Sequence, residues 1–174
     1  MTATIRHAAL EDAQAIADLL NLAYRPPPGR EGWTHESHLV AGQRASAEQV
    51  KSALQQTGSI MALKVTADGH LLACLHLQGD KESASIGMFA VDTAAQGQGL
   101  GREMLAWAER EAQARWSCRK TCMSVVAQRP ELIAYYARRG YLPTGETAAF
   151  PWEASVGSPL GTALSLCLLE KTLT

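Results

Sequence analysis

The chain has 174 residues, enough for one domain with a full hydrophobic core. It is 47% hydrophobic and 19% charged with a net charge of −1, which gives no footing to disorder or to a nucleic-acid or anionic-membrane partner. No apolar run approaches the length of a membrane-spanning helix, and no signal-peptide pattern opens the chain, so a cytoplasmic location is expected. The four cysteines, Cys74, Cys118, Cys122 and Cys167, are then expected to be reduced thiols. Only Cys118 and Cys122 lie close together, with no histidine beside them, so no zinc site is expected.

Residues 3–7 read as a short strand. Residues 10–24 show helical spacing at Ala13, Ile16, Leu20 and Ala23, with Glu11 and Asp12 near the start, where a helix dipole favours acids. Pro26, Pro27, Pro28 and Gly29 end that helix. Residues 30–44 mix Trp33 and Leu39 with His35, Glu36 and His38, and a loop or short irregular helix is expected. Ser46 and Gln49 have capping-box spacing, for a helix to about residue 56. Residues 60–65 and 71–77 are strands joined by an Asp68-Gly69 hairpin turn, and Gly79-Asp80 turns the chain into a third strand, 83–91. A helix reaches about residue 115, with Leu100, Met104, Leu105 and Ala108 on one stripe. Residues 121–126 are another apolar strand. Pro130 suits the first position of a helix carrying Leu132, Ile133, Tyr135 and Tyr136 and closed by Gly140. A strand begins at 141–143, a long connection spans 145–161, and the last strand is 164–173. No repeat, low-complexity tract or linker divides the chain, so residues 1–174 form a single domain.

Residues 86–105 are the centre of this organisation. A strand to Val91 is followed by a short polar link, then by Gly97, Gly99 and Gly101 at alternate positions, then by a helix. The first turn of a helix has unpaired N–H groups and partial positive charge, and glycines let an anion approach that backbone. A P-loop would need Gly-Lys-Ser/Thr, but Arg102-Glu103 follows Gly101. A dinucleotide fingerprint would need Gly-x-Gly-x-x-Gly, and the spacing here is Gly-x-Gly-x-Gly.

The spacing Gln96-x-x-Gly99-x-Gly101 resembles the acyl-coenzyme A pyrophosphate loop of the GNAT N-acetyltransferase superfamily. A second stretch is similar to the same family: a helix from Pro130 carries Tyr136 four residues before Gly140-Tyr141. The element order also matches. The resemblance implies an α/β GNAT fold, a central twisted mixed sheet of about seven strands with helices on both faces. It implies acetyl-coenzyme A as cosubstrate, with no metal. Gln96, Gly97, Gln98, Gly99, Gly101 and Arg102 would hold the pyrophosphate. The strand ahead of the loop would splay from its neighbour, and backbone groups at Phe89 and Val91, with Ala90 between them, would pair with the pantetheine amides. A backbone N–H there would face the thioester oxygen. Tyr136 would hydrogen-bond the departing thiolate. A phenol near pKa 10 and a thiol near 8.5 make full proton transfer uphill by roughly 2 kcal/mol, so transfer is late or through water.

The general base is left open. Some family members carry a glutamate where Ser85 stands, and serine is no base at neutral pH. Glu36, His38, His76 and an ordered water are the alternatives. His35-Glu36-Ser37-His38 lacks the His-Glu-x-x-His spacing of a metal site. Trp33, His35 and Glu36 follow the first helix, where this family builds its acceptor wall. The expected activity is direct attack of a small-molecule or peptide amine on acetyl-coenzyme A in a ternary complex, since no cysteine has motif support for an acetyl-enzyme. A homodimer is compatible with this reading. The rival is a non-catalytic acyl-coenzyme A sensor or interaction domain on the same fold.

Overall fold

A computed structural model describes residues 2–151, 154–161 and 163–174. Its central strands form where large apolar residues alternate between two buried faces. In β3 (Ser59–Thr66) and β4 (Leu71–Gly79), Met61, Leu63 and Cys74 point to one face, and Ala62, Leu75 and Leu77 to the other. All six are at most 1% exposed, so this sheet needs a helical layer on each side. Helices α1 (Ala13–Tyr24) and α2 (Ala47–Leu54) cover the first face with Ile16, Leu20 and Val50. Helices α3 (Leu100–Trp116) and α4 (Pro130–Ala137) cover the second with Met104, Leu105 and Leu132. Burying one such large side chain is worth roughly 2 kcal/mol, against about 0–1 for an exposed ion pair, so these two apolar layers hold the helices to the sheet.

The remaining strands are β1 (Ala3–His7), β5 (Ser83–Val91), β6 (Lys120–Val126), β7 (Leu142–Ala149) and β9 (Ser165–Thr172). The seven-stranded sheet has the order β1-β3-β4-β5-β6-β9-β7, and β5–β6 is its one parallel pair. The capping box at Ser46 and Gln49 is present in both directions.

Two stretches depart from the sequence expectation. Residues 30–44 contain β2 (Val40–Ala41), which pairs with β8 (Ser158–Pro159). The expected connection 145–161 is shorter, because β7 runs on to Ala149. Every residue of β7 is exposed, and Leu-Pro-Thr-Gly-Glu-Thr-Ala-Ala has no alternation to betray it. It is an edge strand held by backbone pairing to β9, with a register slip between Pro143 and Thr147, where Gly145 takes φ +90. Trp152 and Glu153, within that expected connection, lie outside the described residues.

The feature that positions the site is a break in pairing. β5 and β6 are partners only from Ser83–Lys120 to Ser85–Cys122. Beyond that point β6 stays on β9 as far as Val126, while β5 follows β4. The β4–β5 register slips between Cys74 and His76, and Met88 takes φ +41. That left-handed conformation costs a side-chain-bearing residue about 1–2 kcal/mol. The bulge re-aims the end of β5 and leaves a wedge between it and β6.

Candidate active site

The wedge opens beside the glycine loop. Asp92 caps a short 3₁₀ turn (Thr93–Ala95) by accepting the Ala94 N–H at 3.0 Å. Gly97 and Gly99 then take φ +81 and +82, which glycine reaches without a Cβ penalty. Gly99 is the N-cap of α3, and the first amide of this helix to find a backbone carbonyl is Glu103, on Gly99 at 3.0 Å. The amides of Leu100, Gly101 and Arg102 remain as open donors at the positive end of a 17-residue helix. A cavity of about 570 Å³ lies over them, with Arg102, Arg138 and Arg139 in its lining. Cationic side chains and open amides together favour an anionic ligand of phosphate type.

One wall of this cavity is Tyr135. Its ring packs against Trp33, with centroids 5.0 Å apart, and the Arg139 guanidinium sits 3.4 Å from the ring centroid. Arg139 Nη1 also donates to the Tyr135 carbonyl at 2.7 Å. The Tyr135 hydroxyl reaches Gly101 so closely that a Cβ there would collide with it. Gly101 is therefore needed for close approach and Gly99 for its backbone angle.

A second cavity, of about 320 Å³, lies on the other side of the wedge. Tyr24, Phe89, Leu132 and Tyr136 line both. The Tyr24 hydroxyl donates to the Phe89 carbonyl at 2.6 Å, and burial pushes its pKa up to about 12. Tyr136 is 7% exposed, and its ring meets those of Tyr135 and Tyr141 edge-on, at 5.2 and 6.2 Å. Burial is the main cause that raises its pKa well above the usual phenol value, with the neighbouring tyrosines adding to it. Both phenols stay protonated at neutral pH, so neither is a base there and each keeps an O–H to donate.

The segment after α1 is fastened over the two cavities by polar side chains. Arg129, 1% exposed, donates through Nη1 to the Thr34 carbonyl at 2.7 Å, through Nη2 to the Trp33 carbonyl at 3.2 Å, and through Nε to Glu131 at 3.0 Å. Gln96 donates to Thr34 Oγ1 at 3.0 Å and accepts the Trp33 N–H at 3.3 Å. Arg25 and Glu36, each with a side chain 6% exposed, pair at 2.7 Å. Arg25 also donates to the carbonyls of Gly42 and Val156, both at 2.8 Å.

A family model described as the acetyltransferase (GNAT) family matches residues 14–141. The chain belongs to the GNAT acetyltransferase family. Solved structures share its fold. A GNAT family acetyltransferase from Elizabethkingia anophelis with acetyl-CoA bound is 19% identical, with a TM-score of 0.70, covering 98% of each chain. The spermidine/spermine N-acetyltransferase from Vibrio cholerae is 15% identical, with a TM-score of 0.67, covering 99% of this chain and 95% of that one. An IAA acetyltransferase from Bacillus cereus is 16% identical, with a TM-score of 0.69, covering 99% and 100%. A search of curated proteins finds no match. No helix among the described residues is long and apolar enough to cross a membrane.

In this GNAT chain the residues singled out from the sequence divide into three groups. Phe89, Val91, Gln96, Gly97, Gly99, Gly101, Arg102, Trp33 and Tyr136 gather around the larger cavity. Trp33, expected on the acceptor wall, lines the larger cavity and not the smaller one. Ala90 and Gln98 line neither cavity: Ala90 is buried against α1 on the opposite face, and Gln98 is exposed. His35 also lies outside both, edge-on to His38 with centroids 5.4 Å apart. Among the described residues no group of three or more His, Cys, Asp or Glu side chains is placed to hold a metal ion.

Of the three side chains named as base candidates, His38 lines neither cavity, and the geometry reads against the other two. His76 Nε2 lies 2.7 Å from Ser59 Oγ, whose hydroxyl donates to the Ala53 carbonyl at 2.6 Å. That leaves Nε2 as the hydrogen donor, and burial lowers the pKa of the ring. Its side chain faces the α2 layer and enters neither cavity. Glu36 does line the smaller cavity, but its Oε1 accepts both Arg25 Nη2 and Nε, at 2.7 and 3.1 Å. Sequence reasoning missed Tyr24, Arg129 and Tyr135 as site residues. Tyr24 and Tyr135 read as ordinary helix positions, and Arg129 precedes the proline that starts α4.

Two outcomes follow. Gly101→Val should weaken coenzyme A binding in calorimetry by about tenfold or more. Some loss of melting temperature is expected as well, because the added Cβ meets the Tyr135 hydroxyl and that ring is held by Trp33 and Arg139, so affinity is read on the folded variant. Unchanged affinity in the folded variant would remove the anion assignment. Glu36→Gln should lower stability in urea unfolding by about 3 kcal/mol or more, because it strands the buried Arg25 charge. A stable variant that has lost only turnover would restore Glu36 as a base.

Proposed function

We propose that the protein transfers an acetyl group from acetyl-coenzyme A to a primary amine, by direct attack within a ternary complex. The observation that carries this reading is the meeting of two cavities across the β5–β6 wedge. One has open amides and arginines suited to a pyrophosphate. The other offers separate space for an acceptor. Tyr24, Phe89, Leu132 and Tyr136 stand between them.

Acetyl-coenzyme A would supply the activated acetyl group and a thiol leaving group. The amides of Leu100 to Arg102 would bind its pyrophosphate. β5 ends with edge groups that β6 does not use, and these would align the pantetheine arm and face the thioester oxygen. The carbonyl of Phe89 is already engaged by Tyr24, so it would share its second lone pair or yield. Tyr136 would donate a hydrogen bond to the sulfur as charge develops there. Its raised pKa makes it a poorer acid and keeps it a donor at every working pH.

Tyr136→Phe should lower kcat by about a hundredfold, with acetyl-coenzyme A affinity little changed. Thiol release measured with an amine library tests this. Wild-type turnover in the variant would reduce Tyr136 to packing, and coenzyme A binding without thiol release for any amine would favour a sensor domain.

The pH dependence follows from the lining. Neither His38 nor His76 lines either cavity, Glu36 is paired with Arg25, and the phenols are held protonated. An alkyl amine near pKa 10.4 is neutral in only about one molecule per thousand at pH 7.5. With deprotonation left to water, kcat/KM should climb steadily from pH 7 toward pH 9. A plateau below pH 7.5 that Glu36→Gln, His38→Gln or His76→Gln abolishes would name a base instead.

A further inference from the structure

The smaller cavity has an unbalanced charge. Among the described residues its one lining carboxylate, Glu36, is neutralised by Arg25. Arg129, also in the lining, is bound by Glu131 and two carbonyls. Arg44 is different. Its backbone N–H is fixed on Asn21 Oδ1 at 2.7 Å, and its guanidinium carbon lies 5.5 Å from the Tyr24 ring centroid. Among the described residues no carboxylate comes within ion-pair distance of it. Arg44 lines the cavity half-buried, beside the tyrosine that separates the two spaces, and among the described residues its guanidinium makes no hydrogen bond. The rest of the lining is mostly apolar, with Met123, Val125, Phe150, Val156, Leu166 and Leu168.

A polyamine would have to place extra ammonium groups in this apolar, net-positive space, against like charge and desolvation. An amine that also bears a carboxylate would meet the guanidinium bidentately, with its hydrocarbon against the apolar wall. We infer that the acceptor is a primary amine carrying a carboxylate and an apolar body, and that Arg44 selects it. This rests on the acetyl-transfer reading above and goes further in naming the substrate class.

Thiol release at saturating acetyl-coenzyme A tests it with matched pairs. Leucine, methionine and phenylalanine are compared with the amines left when each loses its carboxylate, and with spermidine. The acids should be preferred in kcat/KM by about tenfold or more. Arg44→Gln should raise KM for the acids by a similar factor, with a smaller effect on kcat, and erase the preference. Arg44→Lys, which keeps the charge, should retain part of it. Equal or better use of the decarboxylated amines or spermidine overturns the inference and leaves acetyl transfer standing. Calorimetry of N-acetyl-leucine and N-acetyl-phenylalanine with the coenzyme A-bound protein supplies the converse. Binding that Arg44→Gln weakens, with no thiol release from any amine, upholds the anchor and removes the acetyl-transfer reading. Acids that are neither acetylated nor, as N-acetyl forms, bound by the wild type overturn it.

Discussion

Everything that could serve chemistry here depends on β5 leaving β6. A parallel strand pair that continued to Val91 would satisfy both backbones and leave no cavity. Instead the pairing stops at Ser85, and a bulge at Met88 turns the end of β5 away. The left-handed residue is affordable because β4 pairs with β5 on both sides of the slip, and the Cys74 thiol donates to the Met88 carbonyl at 3.3 Å. β6 in turn is held by β9 along its full length. Each strand is secured on its outer side, so the wedge does not close by collapse. The same bend delivers the chain to Gly97 and Gly99, whose positive φ values aim the α3 amides into the larger space.

The second constraint is polar and buried. Segment 25–44 has few apolar residues, so packing alone would hold it poorly over the wedge. Arg129 supplies the fastening: its guanidinium reaches two successive carbonyls, at Trp33 and Thr34, from the residue just before α4. Arg25 does the same farther along, through Glu36, Gly42 and Val156. A buried guanidinium is costly unless nearly all its donors are met. These two are met by loop carbonyls, so their desolvation is offset only while the loop is in place. That couples the segment after α1 to α4, and hence to Tyr136, without any large apolar contact.

Much of this was legible in the sequence where periodicity and glycine chemistry speak. The strands around residues 60–91, the capping box at Ser46 and the glycine loop follow from local patterns that tertiary packing has no reason to override, whereas Tyr136 was singled out only by the resemblance of its helix to the family's segment. What was hidden is non-local. β7 is wholly exposed and paired by backbone, so no side-chain pattern marks it. Arg129 and Arg25 look like surface charges until the chain brings carbonyls to them from far away in sequence. His76 alternates correctly along β4, but only the fold reveals that Ser59 and the α2 layer lie opposite it. Trp33 lines the larger cavity and not the smaller one, a placement that composition does not give because a loop's hand across a wedge cannot be read from it.

The remaining question is how a tyrosine this reluctant to ionise can help a thiol leave. In water a phenol is weaker than a thiol by about 1.5 pKa units, and burial moves Tyr136 farther in that direction. The comparison is incomplete, however, because the departing sulfur would occupy the same apolar junction. Desolvation raises the pKa of a thiol for the same reason it raises that of a phenol. What governs proton transfer is the difference between two anions in one environment, and that difference grows less than either pKa alone. Tyr24 adds a limit. Its hydroxyl is spent on the Phe89 carbonyl at 2.6 Å, so it does not compete for the sulfur. Under the proposed reading, Tyr136 then stabilises charge first and gives up its proton last. A donor whose pKa is too high to be lost at working pH is better suited to that order than a stronger acid, which would arrive partly ionised and repel the thiolate it has to meet.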